Sequence, residues 1–330
     1  MKPLVSVVVP VFNEESVLDR FYARVAQVFD GLPDVQLELV FVNDGSRDDS
    51  LQVMRRLCTV DQRVGLVNLS RNFGKEVAMT AGLDHCAGDA VVVIDADLQD
   101  PPEVIPEMLA SWRSGHDVVY ARRSHRDGES WLKRSTAHLF YRLMLRASQV
   151  PIPPDTGDFR LMSRRAVDAL LQLRERNRFM KGLFAWVGFP SAAVVYRRDA
   201  RAAGHTKFNY WKLWNFALEG LTSFSTVPLR VATYLGMLVS VTALFWGCVI
   251  IVKTLIWGNP VQGYPSLMVA VLFLGGVQLV AIGTLGEYVG RIFSEVKGRP
   301  LYLVEAWHAP LQGRTEGDKT ATKDRALRHG

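Results

Sequence analysis

Two long segments without a charged residue constrain this chain more than any other feature. Residues 231–252 give 22 uncharged positions and residues 254–286 give 33. Each segment exceeds the roughly 20 residues that a helix needs to cross a bilayer. A buried helix of a soluble core is the alternative, but such helices are seldom this long and this free of charge. We therefore predict two transmembrane helices joined by a short turn around residues 258–265.

The charges that border these segments predict their orientation. Arg230, Arg291, Lys297 and Arg299 lie at the outer ends of the pair, whereas Lys253 alone lies near the connecting turn. Because Lys and Arg concentrate on the cytoplasmic side of membrane proteins, both termini and the soluble part are expected to face the cytoplasm. The chain is thus predicted to be a multi-pass membrane protein.

The part of the chain before residue 120 alternates β-branched apolar runs with amphipathic helical patterns. The predicted strands are VSVVVPVF, VQLELVFV, RVGLVNLS, AVVVIDAD and HDVVYA. This alternation predicts βαβ units and a mostly parallel sheet covered by helices. Ligands of such sheets bind beyond the carboxyl ends of the strands. The polar residues at those ends are Asn13, Glu14, Asn43, Asp44, Asp95 and Asp97.

The segment VVVIDADLQD ends a predicted buried strand in carboxylates. Asp95 and Asp97 are two residues apart, so both side chains point to one side and can reach one cation directly or through water. Mg²⁺ or Mn²⁺ held by these carboxylates and by substrate phosphates is one interpretation, and a solvated loop is the other. Asp100, before Pro101 and Pro102, is instead expected to form a turn and cap the next helix.

Charge and motif composition narrow the partners. The net charge of +6 indicates an anionic partner. Residues 160–212 contain twelve Lys or Arg and three acidic residues beside the predicted membrane segments, which favours phosphate groups and lipid headgroups over nucleic acid. The first predicted strand is followed by PVFNEE, so no dinucleotide site of the G-x-G-x-x-G type is expected.

Several stretches resemble the family 2 glycosyltransferases, and more narrowly the bacterial polyprenyl-phosphate glycosyltransferases related to dolichyl-phosphate mannose synthase. They are VSVVVPVFNEE, FVNDGSRDDS, SRNFGKEVAMTAGLDHCAGDAVVVIDADLQDPPE, TGDFRLMSRRAV and GHTKFNYWKLWNFALEGLTSFSTVPLR. The resemblance extends from residue 4 to about residue 300. It implies a GT-A fold, a Rossmann-like α/β domain with a mostly parallel sheet, followed by a hairpin of two transmembrane helices.

The resemblance also implies ligand contacts for individual residues. Four match positions that hold the nucleoside of a sugar nucleotide: Pro10, Phe12, Glu14 and Asp44. Three match the D-x-D-x-Q segment that binds the metal, Mg²⁺ or Mn²⁺, and the donor diphosphate: Asp95, Asp97 and Gln99. Four match basic positions near the donor and acceptor phosphates: Arg123, Arg134, Arg201 and Lys207.

Two acidic residues are the catalytic candidates. Asp97 would clamp the metal that stabilises the leaving diphosphate. Asp158, in TGDFRLM, matches the acidic position proposed for catalysis, and Asp155 is its rival. Because a lipid phosphate is already an anion, Asp158 is expected to orient groups or to act electrostatically rather than as a general base.

The predicted organisation has four parts. Residues 1–208 form a cytoplasmic GT-A domain, 209–228 an amphipathic interfacial helix, 229–293 the two transmembrane helices, and 294–330 a cytoplasmic tail with a disordered end. An ordinary core-packing helix is the alternative for the interfacial one. Small residues on the second membrane helix would also allow a homo-oligomer.

The implied activity is inverting transfer of a single hexose from a nucleoside diphosphate sugar, with UDP-glucose favoured, to polyprenyl (undecaprenyl) phosphate. The lipid-linked sugar would form at the cytoplasmic face of the bacterial inner membrane and serve cell-surface glycan modification. A processive polysaccharide synthase is one alternative, but the chain has no Q-x-x-R-W segment and too few membrane helices for a channel. A non-catalytic adaptor that binds sugar nucleotides is the other, and the DADLQ and TGDFR segments argue against it.

Overall fold

The computed structural model describes residues 2–123, 156–176, 178, 180–196, 227–257 and 263–311. These residues fall into two compact units. One contains the described residues up to 196 together with those from Arg299 onward, and the other contains those from 227 to Gly298. Every predicted site residue that the structure describes belongs to the first unit.

The described part of the first unit is built on a mixed, mostly parallel sheet. Its strands are β1 (Leu4–Val11), β2 (Gln36–Asn43), β3 (Val64–Leu69), β4 (Ala90–Val93), β5 (Val118–Arg123), β6 (Thr156–Ser163), β7 (Ser191–Tyr196) and β8 (Val304–His308). Their order is β7-β5-β6-β4-β1-β2-β3-β8. Strand β1 pairs in parallel with β2 and β4, β2 with β3, and β5 with β7, whereas the remaining pairs are antiparallel. The five predicted strands and the α/β fold class are confirmed.

Helices cover this sheet. Within the described residues they are α1 (Leu18–Asp30), α2 (Ser50–Val60), α3 (Lys75–His85), α4 (Ile105–Arg113), α5 (Arg164–Gln172) and α6 (Met180–Trp186), and a 3₁₀ turn (Pro102–Val104) precedes α4. The apolar residues of α1 recur at helical spacing and are buried: Leu18, Phe21, Val25 and Phe29. Strands β1 and β4 are rich in buried valine because both faces of the sheet are covered there.

Helix α3 lies unusually close to the sheet because of one glycine. A Cβ atom at Gly82 would lie 2.2 Å from Cγ1 of Val8, so no larger residue fits without movement. This close approach fixes the helix against β1, and the first residue of α3, Lys75, is thereby held near the carboxyl ends of the strands.

Asp117, just before β5, secures strand β6. Its carboxylate accepts hydrogen bonds from Ser163 Oγ at 2.7 Å and from the guanidinium of Arg165. Its carbonyl oxygen also accepts from the Ser163 amide at 2.8 Å. The Arg165 guanidinium and the Ser163 hydroxyl lower the pKa of Asp117, against a smaller effect of burial.

We expect Asp117→Asn to destabilise the protein in a pH-dependent way. Because the folded pKa of Asp117 lies below its unfolded value of about 4, its stabilisation is present above that pH and is lost as pH falls through the folded pKa. The melting temperature of the variant should be lower than that of the wild type at pH 7, and the gap should shrink by pH 3. Thermal melts across this range provide the check, and a gap that stays constant would contradict the charge-based account.

The second unit consists of two long apolar helices in its described part, α7 (Val227–Trp257) and α8 (Tyr264–Val296). Helix α8 continues ten residues beyond the predicted uncharged segment, and Glu287 forms an ion pair with Arg291 at 3.0 Å on it. Among the described residues, Phe273–Val296 is long and apolar enough to cross a membrane. The predicted interfacial helix falls outside the described residues apart from its last two positions, which begin α7.

The chain returns to the sheet after α8. Residues Val304–His308 form β8, which pairs antiparallel with β3 at one edge of the sheet. Tyr302, just before this strand, is buried and donates a hydrogen bond to Asp84 of α3 at 2.7 Å. Nothing in the pattern VEAWH predicts this strand, because it lies at an edge and its burial does not alternate clearly.

Candidate active site

A cleft of about 380 Å³ lies where the central strands of the sheet end. The residues that line it come from the end of β1 and from the segments after β1, β2, β3 and β4: Pro10, Val11, Phe12, Glu14, Asp44, Asn72, Gly74, Lys75, Asp95, Ala96 and Asp97. Parallel strands bring their carboxyl ends to one edge, so four segments distant in sequence meet here.

The wall of the cleft between β2 and β3 is formed by a tight contact of two loops. Gly45 has a φ of +66°, and a Cβ atom there would lie 2.5 Å from the amide nitrogen of Asn72. Asp44 is buried, and its carboxylate accepts hydrogen bonds from the amides of Phe73 at 2.7 Å and Gly74 at 3.0 Å. Burial raises the pKa of Asp44, and the two amides partly oppose that rise. Asp44 therefore shapes the loop that leads into α3.

Lys75 joins two carboxylates at the mouth of the cleft. Its Nζ atom lies 2.7 Å from the carboxylate of Asp95 and 2.6 Å from that of Asp158. The side chains of these three residues are between one fifth and under one half exposed, so each can meet a ligand. Asp95 follows β4, and Asp158 lies on the neighbouring antiparallel strand β6. The ammonium group of Lys75 thus forms ion pairs with two acidic residues that are 63 positions apart in sequence.

Burial and the neighbouring charges shift the pKa values of the two carboxyl groups in this cluster in opposite directions. Burial opposes the charge of Lys75, but the two carboxylates outweigh it and raise its pKa. Burial also raises the pKa of Asp95, with repulsion from Asp158 adding to the effect and Lys75 opposing it. For Asp158, burial acts in the same direction, but Lys75, Lys181 and Arg160 together bring the pKa below its usual value. Asp158 is therefore a carboxylate at neutral pH.

Arg160 holds the backbone on which Asp158 stands. It is buried, and its guanidinium donates to the carbonyl oxygens of Gly157 at 2.8 Å and Asp158 at 3.3 Å. The guanidinium carbon lies 3.6 Å from the centre of the Phe184 ring. Burial lowers the pKa of Arg160 to about 10, so it still carries its charge at neutral pH.

Asp97 and Gln99 lie on a strained turn. Leu98 between them has a φ of +59°, which is rare for a branched side chain, and its side chain is buried. The backbone amide of Gln99 donates a hydrogen bond to one carboxylate oxygen of Asp97 at 3.1 Å. Among the described residues, the Gln99 Oε1 atom is buried without a hydrogen-bond partner. Strain and an unsatisfied buried acceptor both concentrate at functional sites.

A family model described as glycosyl transferase family 2 matches residues 6–171, which include the whole cleft and Asp158. The chain belongs to glycosyltransferase family 2. A second model, the GtrB C-terminal hairpin, matches residues 227–292. This hairpin, together with the apolar helix α8, indicates that this family 2 glycosyltransferase associates with a membrane.

Two curated relatives match nearly the whole glycosyltransferase. An uncharacterized glycosyltransferase of Synechocystis is 53% identical over 93% of this chain and 98% of its own length. A prophage-derived bactoprenol glucosyl transferase of Shigella flexneri is 52% identical over 92% of this chain and 98% of its own length. Mannosyl-3-phosphoglycerate synthase from Rubrobacter xylanophilus, a solved structure, is 19% identical with a TM-score of 0.46 over 66% of this chain and 71% of its own.

The structure brings most of the predicted site residues of this glycosyltransferase together. Six line the cleft: Pro10, Phe12, Glu14, Asp44, Asp95 and Asp97. Asp158 joins them through Lys75, and Gln99 is buried beside Asp97. Arg123 is the last residue of β5. The remaining candidates lie outside the described residues: Arg134, Asp155, Arg201 and Lys207.

The expected capping role of Asp100 is wrong, although the residue does lie in the bend before the 3₁₀ turn. Asp100 is buried, accepts a hydrogen bond from the Tyr196 hydroxyl, and is not the cap of the following 3₁₀ turn, where Pro101 takes that position. The reason is tertiary: strand β7, which lies almost a hundred residues later, brings Tyr196 to this turn.

Lys75 and Arg160 are the site residues that sequence reasoning did not assign to the acidic cluster. Lys75 begins the helix after β3, so the rule that placed Asp44 and Asp95 at the sheet edge also applies to it. Arg160 follows Asp158 by two residues on the same strand, but its burial against Phe184 depends on helix α6 and has no sequence signal.

A divalent cation fits the residues at this edge. The described residues contain no group of three or more His, Cys, Asp or Glu that could hold a metal by themselves. Mg²⁺ commonly uses one or two carboxylates and takes its other ligands from substrate phosphates and water. Asp97 offers a partly buried carboxylate whose hydrogen bond among the described residues comes from the backbone amide of Gln99. The side-chain oxygen of Gln99, two residues later, is buried without a hydrogen-bond partner among the described residues.

Proposed function

We propose that this protein transfers a single hexose, with inversion, from a nucleoside diphosphate sugar to polyprenyl phosphate. UDP-glucose is the favoured donor and undecaprenyl phosphate the favoured acceptor. The observation that carries the proposal is that Lys75 joins the carboxylates of Asp95 and Asp158 at a cleft that Asp97 also lines. Relatives that are 52% identical over 92% of this chain are named bactoprenol glucosyl transferases, which supports the same acceptor and sugar.

The cleft suits the nucleoside of the donor. Phe12 is 41% exposed at its wall, and an exposed aromatic ring can stack on a base. Glu14 and Asp44 add acceptors for hydroxyl or imide groups, and Pro10 closes the wall near the strand. In this arrangement the diphosphate would point toward Asp95 and Asp97.

Asp97 would be the principal metal ligand, with Asp95 and Gln99 beside it. Asp95 already faces the ammonium of Lys75, whereas Asp97 has no cationic partner among the described residues. When bound, Mg²⁺ or Mn²⁺ would supply positive charge that stabilises the departing diphosphate. The unpartnered oxygen of Gln99 can accept a hydrogen bond from a coordinated water or a sugar hydroxyl.

Asp158 would act on the sugar rather than on a proton of the acceptor. An oxygen of the lipid phosphate forms the new bond to the anomeric carbon while the bond to the diphosphate breaks, so the nucleoside diphosphate leaves with both electrons. The acceptor phosphate is already ionised and needs no general base. Asp158, held ionised beside Lys75, can orient the sugar and stabilise positive charge that develops at the anomeric carbon.

The acceptor would reach the site from the cytoplasmic face of the inner membrane. The hairpin and the apolar helix support membrane association, and both termini on the cytoplasmic side remain our proposal. Arg123, Arg134, Arg201 and Lys207 are proposed to contact the donor and acceptor phosphates. The product would be a lipid-linked hexose available for cell-surface glycan modification.

The test uses the full chain purified in detergent, undecaprenyl phosphate and a panel of labelled UDP and GDP sugars. We expect label from UDP-glucose to enter the organic phase only when the lipid and Mg²⁺ or Mn²⁺ are present, and chelation to abolish the transfer. Mass spectrometry should find one hexose on each lipid. Longer chains would favour a processive synthase, and nucleotide binding without turnover from any donor would favour a non-catalytic adaptor.

A further inference from the structure

In strand β8, the side chain of Glu305 lies beside Asn68 of β3, which regular strand pairing would not allow. Asn68 of β3 is opposite Ala306, whereas Leu69 is opposite Val304, so Glu305 is an extra residue where the register shifts. Neighbouring strand residues normally point to opposite faces, and Glu305 would then point away from Asn68. The irregularity re-aims it, and its carboxylate accepts a hydrogen bond from Asn68 Nδ2 at 2.9 Å.

A chain of hydrogen bonds runs from Glu305 into the sheet. Oδ1 of Asn68 accepts from Nδ2 of Asn43 at 2.7 Å, and Oδ1 of Asn43 accepts from the backbone amide of Ser46 at 3.1 Å. Both asparagines are buried. A carboxylate at one end can only accept and a backbone amide at the other end can only donate, so both side-chain amides have one consistent orientation.

This relay of Glu305, Asn68, Asn43 and Ser46 ends at the loops that form the cleft. Oγ of Ser46 accepts a hydrogen bond from the Asn13 amide at 3.1 Å, and Oδ1 of Asn13 accepts from the Arg47 amide at 2.8 Å. Asn13 has a φ of +57°, so these bonds hold the loop after β1 in a sparsely populated conformation. Its two neighbours, Phe12 and Glu14, line the cleft.

We propose that Glu305 is a positioning residue for the donor site. It acts through Asn68 and Asn43, which hold the loop after β2 and, through Ser46, the loop after β1. The strand that follows the hairpin is then part of the donor-binding machinery rather than a tail. This inference rests on the proposed function for the identity of the donor, but the relay itself does not depend on it.

Reversing the polarity at Glu305 gives the sharpest test. Glu305→Lys places a donor against the donating amide of Asn68, whereas Glu305→Gln keeps an acceptor. Asn68→Asp alone sets two carboxylates against each other, but the double variant Glu305→Lys/Asn68→Asp restores a donor facing an acceptor while Asn43 still finds its acceptor. Val304→Lys, at a partly exposed neighbouring position, is the matched control for adding a lysine to this strand.

Two measurements on the full chain separate the relay from the proposed activity. The first is amide hydrogen exchange of the peptide over residues 43–50. Exchange should be faster in Glu305→Lys and in Asn68→Asp, and it should return to the wild-type rate in the double variant. The second is the KM for the donor sugar nucleotide, which should rise about fivefold or more in Glu305→Lys and in Asn68→Asp. The kcat of these two variants should stay within about twofold of the wild type. In the double variant the KM should return to the wild-type value. Glu305→Gln and Val304→Lys should match the wild type.

Several results would overturn the inference. Equal effects of Glu305→Lys and Val304→Lys would mean that any lysine on this strand disturbs it. Failure of the double variant to recover would indicate lost packing rather than a directional relay. Altered exchange with an unchanged donor KM would leave the relay without a role in donor binding. A wild-type protein that transfers no sugar would sink only the proposed activity, since hydrogen exchange still decides the relay.

Discussion

Replacing Asp97 by alanine is expected to lower kcat/KM for sugar transfer by about 1000-fold or more. Asp97 is the acidic residue at the cleft that keeps a carboxylate oxygen free of protein partners among the described residues. Without it, the protein loses the group best placed to hold a divalent cation against the leaving diphosphate, where negative charge develops in the transition state. The turn around Leu98 should stay folded because its apolar side chain remains buried.

The measurement compares transfer by Asp97→Ala, Asp97→Asn and a surface control. Asp34→Ala is a suitable control, because Asp34 is half exposed and its one ion pair among the described residues is with the exposed Arg113 at 2.6 Å. Asp97→Asn should also lose most activity, since a neutral amide oxygen is a weaker ligand. Melting temperatures should stay near that of the wild type in all three variants. Activity of Asp97→Ala within tenfold of the wild type would contradict the proposal that Asp97 holds the metal.

Replacing Lys75 by methionine should lower kcat by about 100-fold and change two binding constants in opposite directions. The substitution leaves the carboxylates of Asp95 and Asp158 facing each other without the ammonium that now lies within 2.7 Å of both. Removing the ammonium from this partly buried cluster leaves the negative charge of the two carboxylates uncompensated and disturbs their positions. The site also becomes more negative by one charge.

That extra negative charge makes the second part of the prediction specific. A more negative site should bind Mn²⁺ more tightly and the anionic donor more weakly, so the activating metal concentration should fall while the donor KM rises. Lys75→Arg should recover part of kcat because it restores a cation with different geometry. Arg55→Met removes an exposed positive charge from α2 and serves as the control. A donor KM and a metal requirement both unchanged in Lys75→Met would show that Lys75 has no part in the electrostatics of the site.

The fold was largely predictable because its signals are local. Runs of apolar, often β-branched residues predict buried parallel strands wherever both faces of a sheet are covered, and β1 to β4 follow that rule. Strands β7 and β8 lie at the two edges of the sheet, where burial is partial and pattern is weak. Asp100 shows the same limit for a single residue, because the partner that buries it comes from β7.

The sequence by itself determined the α/β class, the membership in a glycosyltransferase family and the edge of the sheet at which the polar residues meet. Those properties follow from periodicity and from the geometry of parallel strands, which bring carboxyl ends together whatever the details of packing. Only the tertiary structure decided that Lys75 bridges Asp95 and Asp158, and that Glu305 connects through Asn68 to the loops of the cleft. Such contacts join residues from distant strands and depend on register and on single hydrogen-bond orientations, which no local pattern in the chain encodes.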